Sequence, residues 1–154
     1  MEHDNTNWGQ SVAGVVIREG RVLLARHTYG AGRGKLIVPG GYLQQGETPQ
    51  DALRREMMEE THITVEPREI IGIRFNMHDW YVVFRADYVD GEATSDGDEN
   101  SEVLWMPIED ALASDEVPDL TKKLIESATS GHPGMRSRHY EGSTKYAPLS
   151  FYGL

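Results

Sequence analysis

Three glutamates, Glu56, Glu59 and Glu60, fall within five residues of a segment that otherwise reads as helix. At about 100° per residue they share an arc of roughly 100° on one face. Like charges at these spacings repel by a few tenths of a kcal/mol per pair, and near a helix C-terminus the dipole disfavours anions further. Local stability therefore does not select the arrangement. A hard divalent cation such as Mg²⁺ takes several carboxylate oxygens around one point, and its charge turns the repulsion into ligation. A bare acidic triplet is more often a solvated face, so the neighbouring residues must decide.

Those neighbours belong to elements that can be placed from local chemistry. Thr48-Pro49 reads as an N-cap followed by proline at the first helical position, with Asp51 placed like the acid of a capping box, so a helix should run to Glu60 or Thr61. Ahead of it, Val12–Arg18 and Arg21–Arg26 are β-rich runs separated by Glu19-Gly20, a hairpin signal. Residues 29–34 are Gly-rich and read as a surface loop, Leu36–Val38 as a short strand stopped by Pro39-Gly40-Gly41, and residues 42–47 as a loop. Strands are expected at Ile70–Asn76, Trp80–Tyr88 and Val103–Met106, and a second amphipathic helix at Asp119–Ala128. One domain, residues 1–130, is expected, followed by an irregular basic and aromatic tail, residues 131–154.

Composition narrows the function classes. The 154 residues include no cysteine, which excludes disulfides, thiolate nucleophiles and Cys-ligated clusters. The polar, acidic N-terminus does not resemble a signal peptide and no apolar run exceeds strand length, so a cytoplasmic protein without a membrane span is expected. A net charge of −10 argues against nucleic acid as a partner. The acidity is local: residues 86–121 hold twelve acids and no base.

The stretch from Gly41 to Ile63 resembles the Nudix box, G-x5-E-x7-R-E-U-x-E-E-x-G-U with U apolar, in Gly41, Glu47, Arg55, Glu56, Met57, Glu59, Glu60 and Ile63. Together with the strands on both sides and Trp105-Met106-Pro107, the resemblance covers about residues 10–128. It implies a Nudix-type α/β/α sandwich with a mixed β-sheet. It also implies an enzyme of the MutT-like kind, cleaving the pyrophosphate bond of a nucleoside diphosphate linked to another moiety by water attack at phosphorus, with Mg²⁺ or Mn²⁺ as cofactor. A small nucleotide is then the substrate. Two positions depart from the pattern: His62 stands where the box ends in Gly, a place read as a left-handed helix cap, and Gln44 stands where many relatives carry Glu.

Carried onto this chain, the resemblance makes Glu56 and Glu60 direct metal ligands, Glu59 a ligand of a second ion and Glu47 a nearby ligand or water holder. Arg55 becomes the cation that orients Glu47 and Glu56. Glu99 and Glu102 both qualify as the additional carboxylate, ligand or general base, that the family supplies from a loop ahead of a late strand. The Gly40-Gly41 backbone is a candidate for close approach to a phosphate. Asp79 stands where the ADP-ribose type carries Pro, and Tyr81 where the dinucleoside-polyphosphate type carries a Tyr, making Tyr81 a candidate substrate contact.

Rival readings remain at this point. Isopentenyl diphosphate isomerases share the fold but resemble a class with a catalytic cysteine, which this chain lacks. A GDP-sugar hydrolase attacking carbon, or a non-catalytic nucleotide-sensing module, would resemble a broken box, and here all four glutamates and the arginine are present. For the tail, docking on a sister subunit in a homodimer, covering the cleft and simple mobility are all open.

Overall fold

The computed structural model describes residues 9–143, 145 and 147–154. In chain order the elements are β1 (Gly9–Arg18), β2 (Arg21–His27), β3 (Leu36–Ile37), β4 (Gly40–Tyr42), α1 (Pro49–Thr61), β5 (Thr64–Phe75), β6 (Asp79–Asp90) and β7 (Asn100–Pro107). There follow α2 (Ile108–Ala113), α3 (Asp119–Thr129), β8 (Arg136–Ser137) and β9 (Tyr152–Gly153). The hairpin expected at Glu19-Gly20 forms, with φ of 52° and 75° at the two turn residues and Ile17 paired with Val22. Positive φ at both positions gives the turn whose twist matches the flanking strands.

The sheet is built around β1. It runs antiparallel to β2 and β4 and parallel to β6, with Gly9–Val16 in register with Asp79–Ala86. Strands β5 and β6 pair antiparallel, and β2 also pairs antiparallel with β3 and β7. A strand with partners along both sides and helices over both faces has no solvent face, and Val12, Ala13, Val15 and Val16 are all fully buried. One face packs on α1: Val12, Val16 and Phe84 meet Ala52, Leu53 and Met57. The other face packs on α2 and α3, where Ala13, Val15 and Val83 meet Ala111, Leu124 and Ile125. This is the α/β/α sandwich on a mixed sheet. Gly14 sets the distance between β1 and α1, because a Cβ there would lie 3.2 Å from Leu53 Cδ2 and 3.3 Å from Met57 Cε.

Several elements differ from the sequence reading. The stop at Pro39-Gly40-Gly41 turns out to contain β4, since Gly40 and Gly41 ladder against Ala13 and Val12. Strand β5 begins at Thr64, six residues before the expected start. Pro67 hides that beginning, and it is tolerated because β5 is an edge strand with a register shift beside the proline. Helix α2 has only six residues, too few to show a period. The segment from 131 onward is not irregular throughout. Met135 exchanges backbone hydrogen bonds with Ile70, β8 pairs with β9, and Tyr152 packs edge-on against Phe84 at 5.5 Å. No helix among the described residues is long and apolar enough to cross a membrane.

Candidate active site

Helix α1 carries most of the site, and its ends are fixed as its sequence dictates. Thr48 Oγ1 accepts the Asp51 N–H at 3.3 Å, and Pro49 occupies the first turn, where no N–H is needed. At the other end His62 takes φ 63°, ψ 20°, and its N–H donates to Met58 O. The left-handed cap expected at this position is therefore present with histidine in place of glycine. The imidazole Nδ1 lies 3.1 Å from Thr94 O, on an exposed edge.

Arg55 organises the near side of the helix. Its Nε and Nη2 donate to the two oxygens of Glu47 at 2.6 and 2.9 Å. Nη1 donates to Glu56 Oε1 at 2.9 Å and Glu59 Oε2 at 3.1 Å, and Nη2 also reaches Tyr42 O at 3.0 Å. A guanidinium offers five N–H donors, and these five bonds occupy them all. Hydrogen bonding to Arg55 holds the Glu47 carboxyl below its ordinary value, while burial, only partly opposed by Arg55, raises Glu56.

Beyond Arg55 the compensation stops. Glu56, Glu60 and Glu99 each place an oxygen within 4.8 Å of the others. Glu60 is only 1% exposed and accepts a hydrogen bond from Gly40 N–H at 3.2 Å. Burial first, and the Glu56 charge second, push its carboxyl well above the usual carboxylate range. Three crowded carboxylates without a cation are a costly arrangement, and hard oxygen donors converging on one point are the ligand set a divalent cation takes.

Some sequence-derived candidates lie elsewhere. Glu102 faces Arg26 across the β2–β7 ladder at 3.6 Å and does not join the cluster, so of the two distal carboxylates Glu99 is the one brought in. A register shift at Arg26/His27 separates them. Glu59 remains on the exposed flank, 57% accessible, held by Arg55, and Glu47 is likewise engaged by Arg55. Packing requires glycine at both Gly40 and Gly41. A Cβ on Gly40 would lie 1.9 Å from Val12 O, one on Gly41 would lie 2.4 Å from the Glu56 carboxyl carbon, and the Gly40 N–H is taken by Glu60. Tyr81 packs against the core cluster on the α2–α3 side of the sheet, with the Arg74 guanidinium 5.2 Å over its ring face.

One positioning residue carried no signal in the sequence. Asn100, 1% exposed, donates from Nδ2 to the Glu60 backbone carbonyl at 2.8 Å and so ties the last turn of α1 to the start of β7, next to Glu99. Its Oδ1 is buried with no partner among the described residues. An asparagine inside an acidic run reads as a turn residue, and only the fold reveals this contact.

The geometry agrees with comparisons to known proteins. The NUDIX domain family model matches residues 8–127. The chain belongs to the NUDIX family. A MutT-like protein of Streptomyces ambofaciens is 43% identical over 100 residues, covering 62% of this chain and 62% of that one. An oxidized purine nucleoside triphosphate hydrolase of Danio rerio is 41% identical over 85 residues, covering 51% and 54%. The chain thus spans between half and two thirds of these relatives. Among solved structures, a NUDIX hydrolase from Nitrosomonas europaea superposes with a TM-score of 0.74 at 23% identity, covering 88% of this NUDIX chain and 99% of that one. At that identity the likeness speaks for the fold.

Proposed function

We propose that this NUDIX protein hydrolyses the pyrophosphate linkage of a nucleoside di- or triphosphate derivative, with Mg²⁺ or Mn²⁺, by attack of water at phosphorus. The observation that carries the reading is the convergence of Glu56, Glu60 and Glu99, with Glu60 buried and uncompensated. These three would hold the cation. When bound, it would neutralise non-bridging phosphate oxygens and acidify the attacking water.

The chain's own groups prepare the site. Arg55 fixes Glu56 through Oε1 and leaves Oε2 to a ligand. The Gly40 N–H orients Glu60 through Oε2, and Asn100 holds the helix turn that carries it. Without a cation, burial and the neighbouring Glu56 charge favour the protonated form of Glu60, so loading a cation would displace a proton. Glu99, on an exposed loop beside β7, is the group best placed to accept a proton from water during attack. The name of the Danio rerio relative supports a purine nucleoside triphosphate as the first substrate to try.

A nucleotide panel incubated with Mg²⁺ and with Mn²⁺ in ¹⁸O-water tests this. Label is expected in a phosphate product. Label on a sugar carbon would establish the GDP-sugar chemistry instead, and no turnover of any member with either metal would sink the reading.

A further inference from the structure

The loop between β2 and β3, which the sequence presents only as Gly-rich, carries a tyrosine next to the segment bearing Glu99. Thr28 docks this loop twice on the segment bearing Glu99: its N–H donates to Glu99 O at 3.0 Å and its hydroxyl to Asp98 O at 2.6 Å. The next residue, Tyr29, is 48% exposed and lies flat on the His27 ring, with centroids 5.4 Å apart and planes 13° from parallel. His27 is itself held at both backbone groups, by Lys35 O and by Gly34 N–H. The phenol is therefore mounted on a fixed ring. Partial burial first, then the charges of Glu99, Glu60 and Glu56, push its pKa up to about 12, so the hydroxyl keeps its proton.

A diphosphate entering this site meets few donors. All five N–H groups of Arg55 are already engaged, and the Gly40 N–H belongs to Glu60. A lysine or arginine placed near Glu99 would pair with the carboxylates and compete with a cation, as Arg55 pairs with Glu47. A phenol forms no ion pair, and the Tyr29 hydroxyl has no hydrogen-bond partner among the described residues. We propose that the Tyr29 hydroxyl is a substrate-binding donor of this site, hydrogen-bonding a non-bridging oxygen of the diphosphate held against Glu56, Glu60 and Glu99. The inference rests on the pyrophosphohydrolase reading above.

The test compares wild type, Tyr29→Phe and Tyr29→Ala by calorimetric titration with imidodiphosphate in the presence of Mg²⁺, with Mn²⁺ alone, and by steady-state kinetics on whichever nucleotide of the panel wild type turns over. Phe retains the ring on His27, so melting temperature and Mn²⁺ affinity should match wild type. Imidodiphosphate affinity and kcat/KM should each fall about tenfold, the size of a hydrogen bond to a charged group. Equal imidodiphosphate affinity and kcat/KM in Phe and wild type, with loss confined to Ala, would reduce Tyr29 to a packing ring and overturn the proposal. Weaker Mn²⁺ binding in Tyr29→Phe would overturn it as well, since the hydroxyl would then serve the metal site. If wild type neither turns over a nucleotide nor binds imidodiphosphate, the pyrophosphohydrolase reading fails and this inference falls with it.

Discussion

Glu47 and Glu60 are both acids of the same box, yet they end in opposite electrostatic states. Glu47 is gripped by Arg55 through both oxygens and held below its ordinary pKa. Glu60, one turn beyond Arg55, is buried beside two further carboxylates with a single amide for support, and its pKa is driven up. Both are acids of one sequence motif, but only one is left uncompensated. The paired side of α1 is complete as it stands and acts as a frame, whereas on the other side Glu60 has no cationic partner among the described residues. Uncompensated burial, more than the presence of acids, marks where the chemistry belongs.

The sharpest way to break this comparison is to neutralise the uncompensated acid. Glu60→Gln should lower kcat by about a thousandfold or more, comparable to losing a major electrostatic element of a site. Without metal the same variant should be more stable than wild type at pH 8. The sign follows from linkage. A carboxyl whose folded pKa is raised makes the folded state bind more protons than the unfolded one between the two values, so stability falls as pH rises through that window. Thermal melts of metal-free wild type from pH 5 to 8 should show this fall and Glu60→Gln should flatten it. A slope that persists in the variant would mean Glu60 is not the strained group.

Damage to the compensated side should cost less. Arg55→Lys keeps a charge but loses the two-pronged hold on Glu47 and the simultaneous bond to Glu56, and activity should fall about 10- to 100-fold with a higher Mg²⁺ requirement. Recovery at saturating Mg²⁺ would confirm a framing role, and no recovery would place Arg55 among the groups that contact substrate. The distal acids should divide in the same way. Glu99→Gln should lower kcat about tenfold or more with little change in KM, and Glu102→Gln, which loses only its pairing with Arg26, should stay within about twofold. The smallest effect concerns the cap, where His62→Gly should stabilise the fold by about 1 kcal/mol in chemical denaturation and leave kcat nearly unchanged.

Much of this was legible in the chain because the determining interactions are short in sequence. The span of α1, its Thr48 cap, the glutamate face and the left-handed His62 all follow from residues within one or two turns of each other. Legibility ended where partners come from far away. Choosing Glu99 over Glu102 depended on a register shift against His27, a long-range pairing that the residues around either position do not specify. Gly40 and Gly41 suggested phosphate contact because glycine permits it, and the close approach of Val12 and Glu56, which also requires glycine there, has no trace in the local sequence. Asn100 gains its role only from a contact across the fold, with the Glu60 carbonyl, and the role proposed for Tyr29 likewise follows from the docking of Thr28 on the Glu99 segment.

The parallel pairing of β1 with β6 has a consequence for biosynthesis. Gly9 waits for Asp79, and no nearer segment can serve as that neighbour. At translation rates of about 5–20 residues per second, the Val12–Val16 run spends roughly 4–14 s outside the ribosome with its main partner still unmade. During that interval β1 has its hairpin mate β2, and later β4 and α1, to shield it, but neither β6 nor the helices of the opposite face. β1, made well before β6, is thus enclosed late, which makes folding yield in the cell sensitive to elongation speed and to chaperones that cover extended apolar segments.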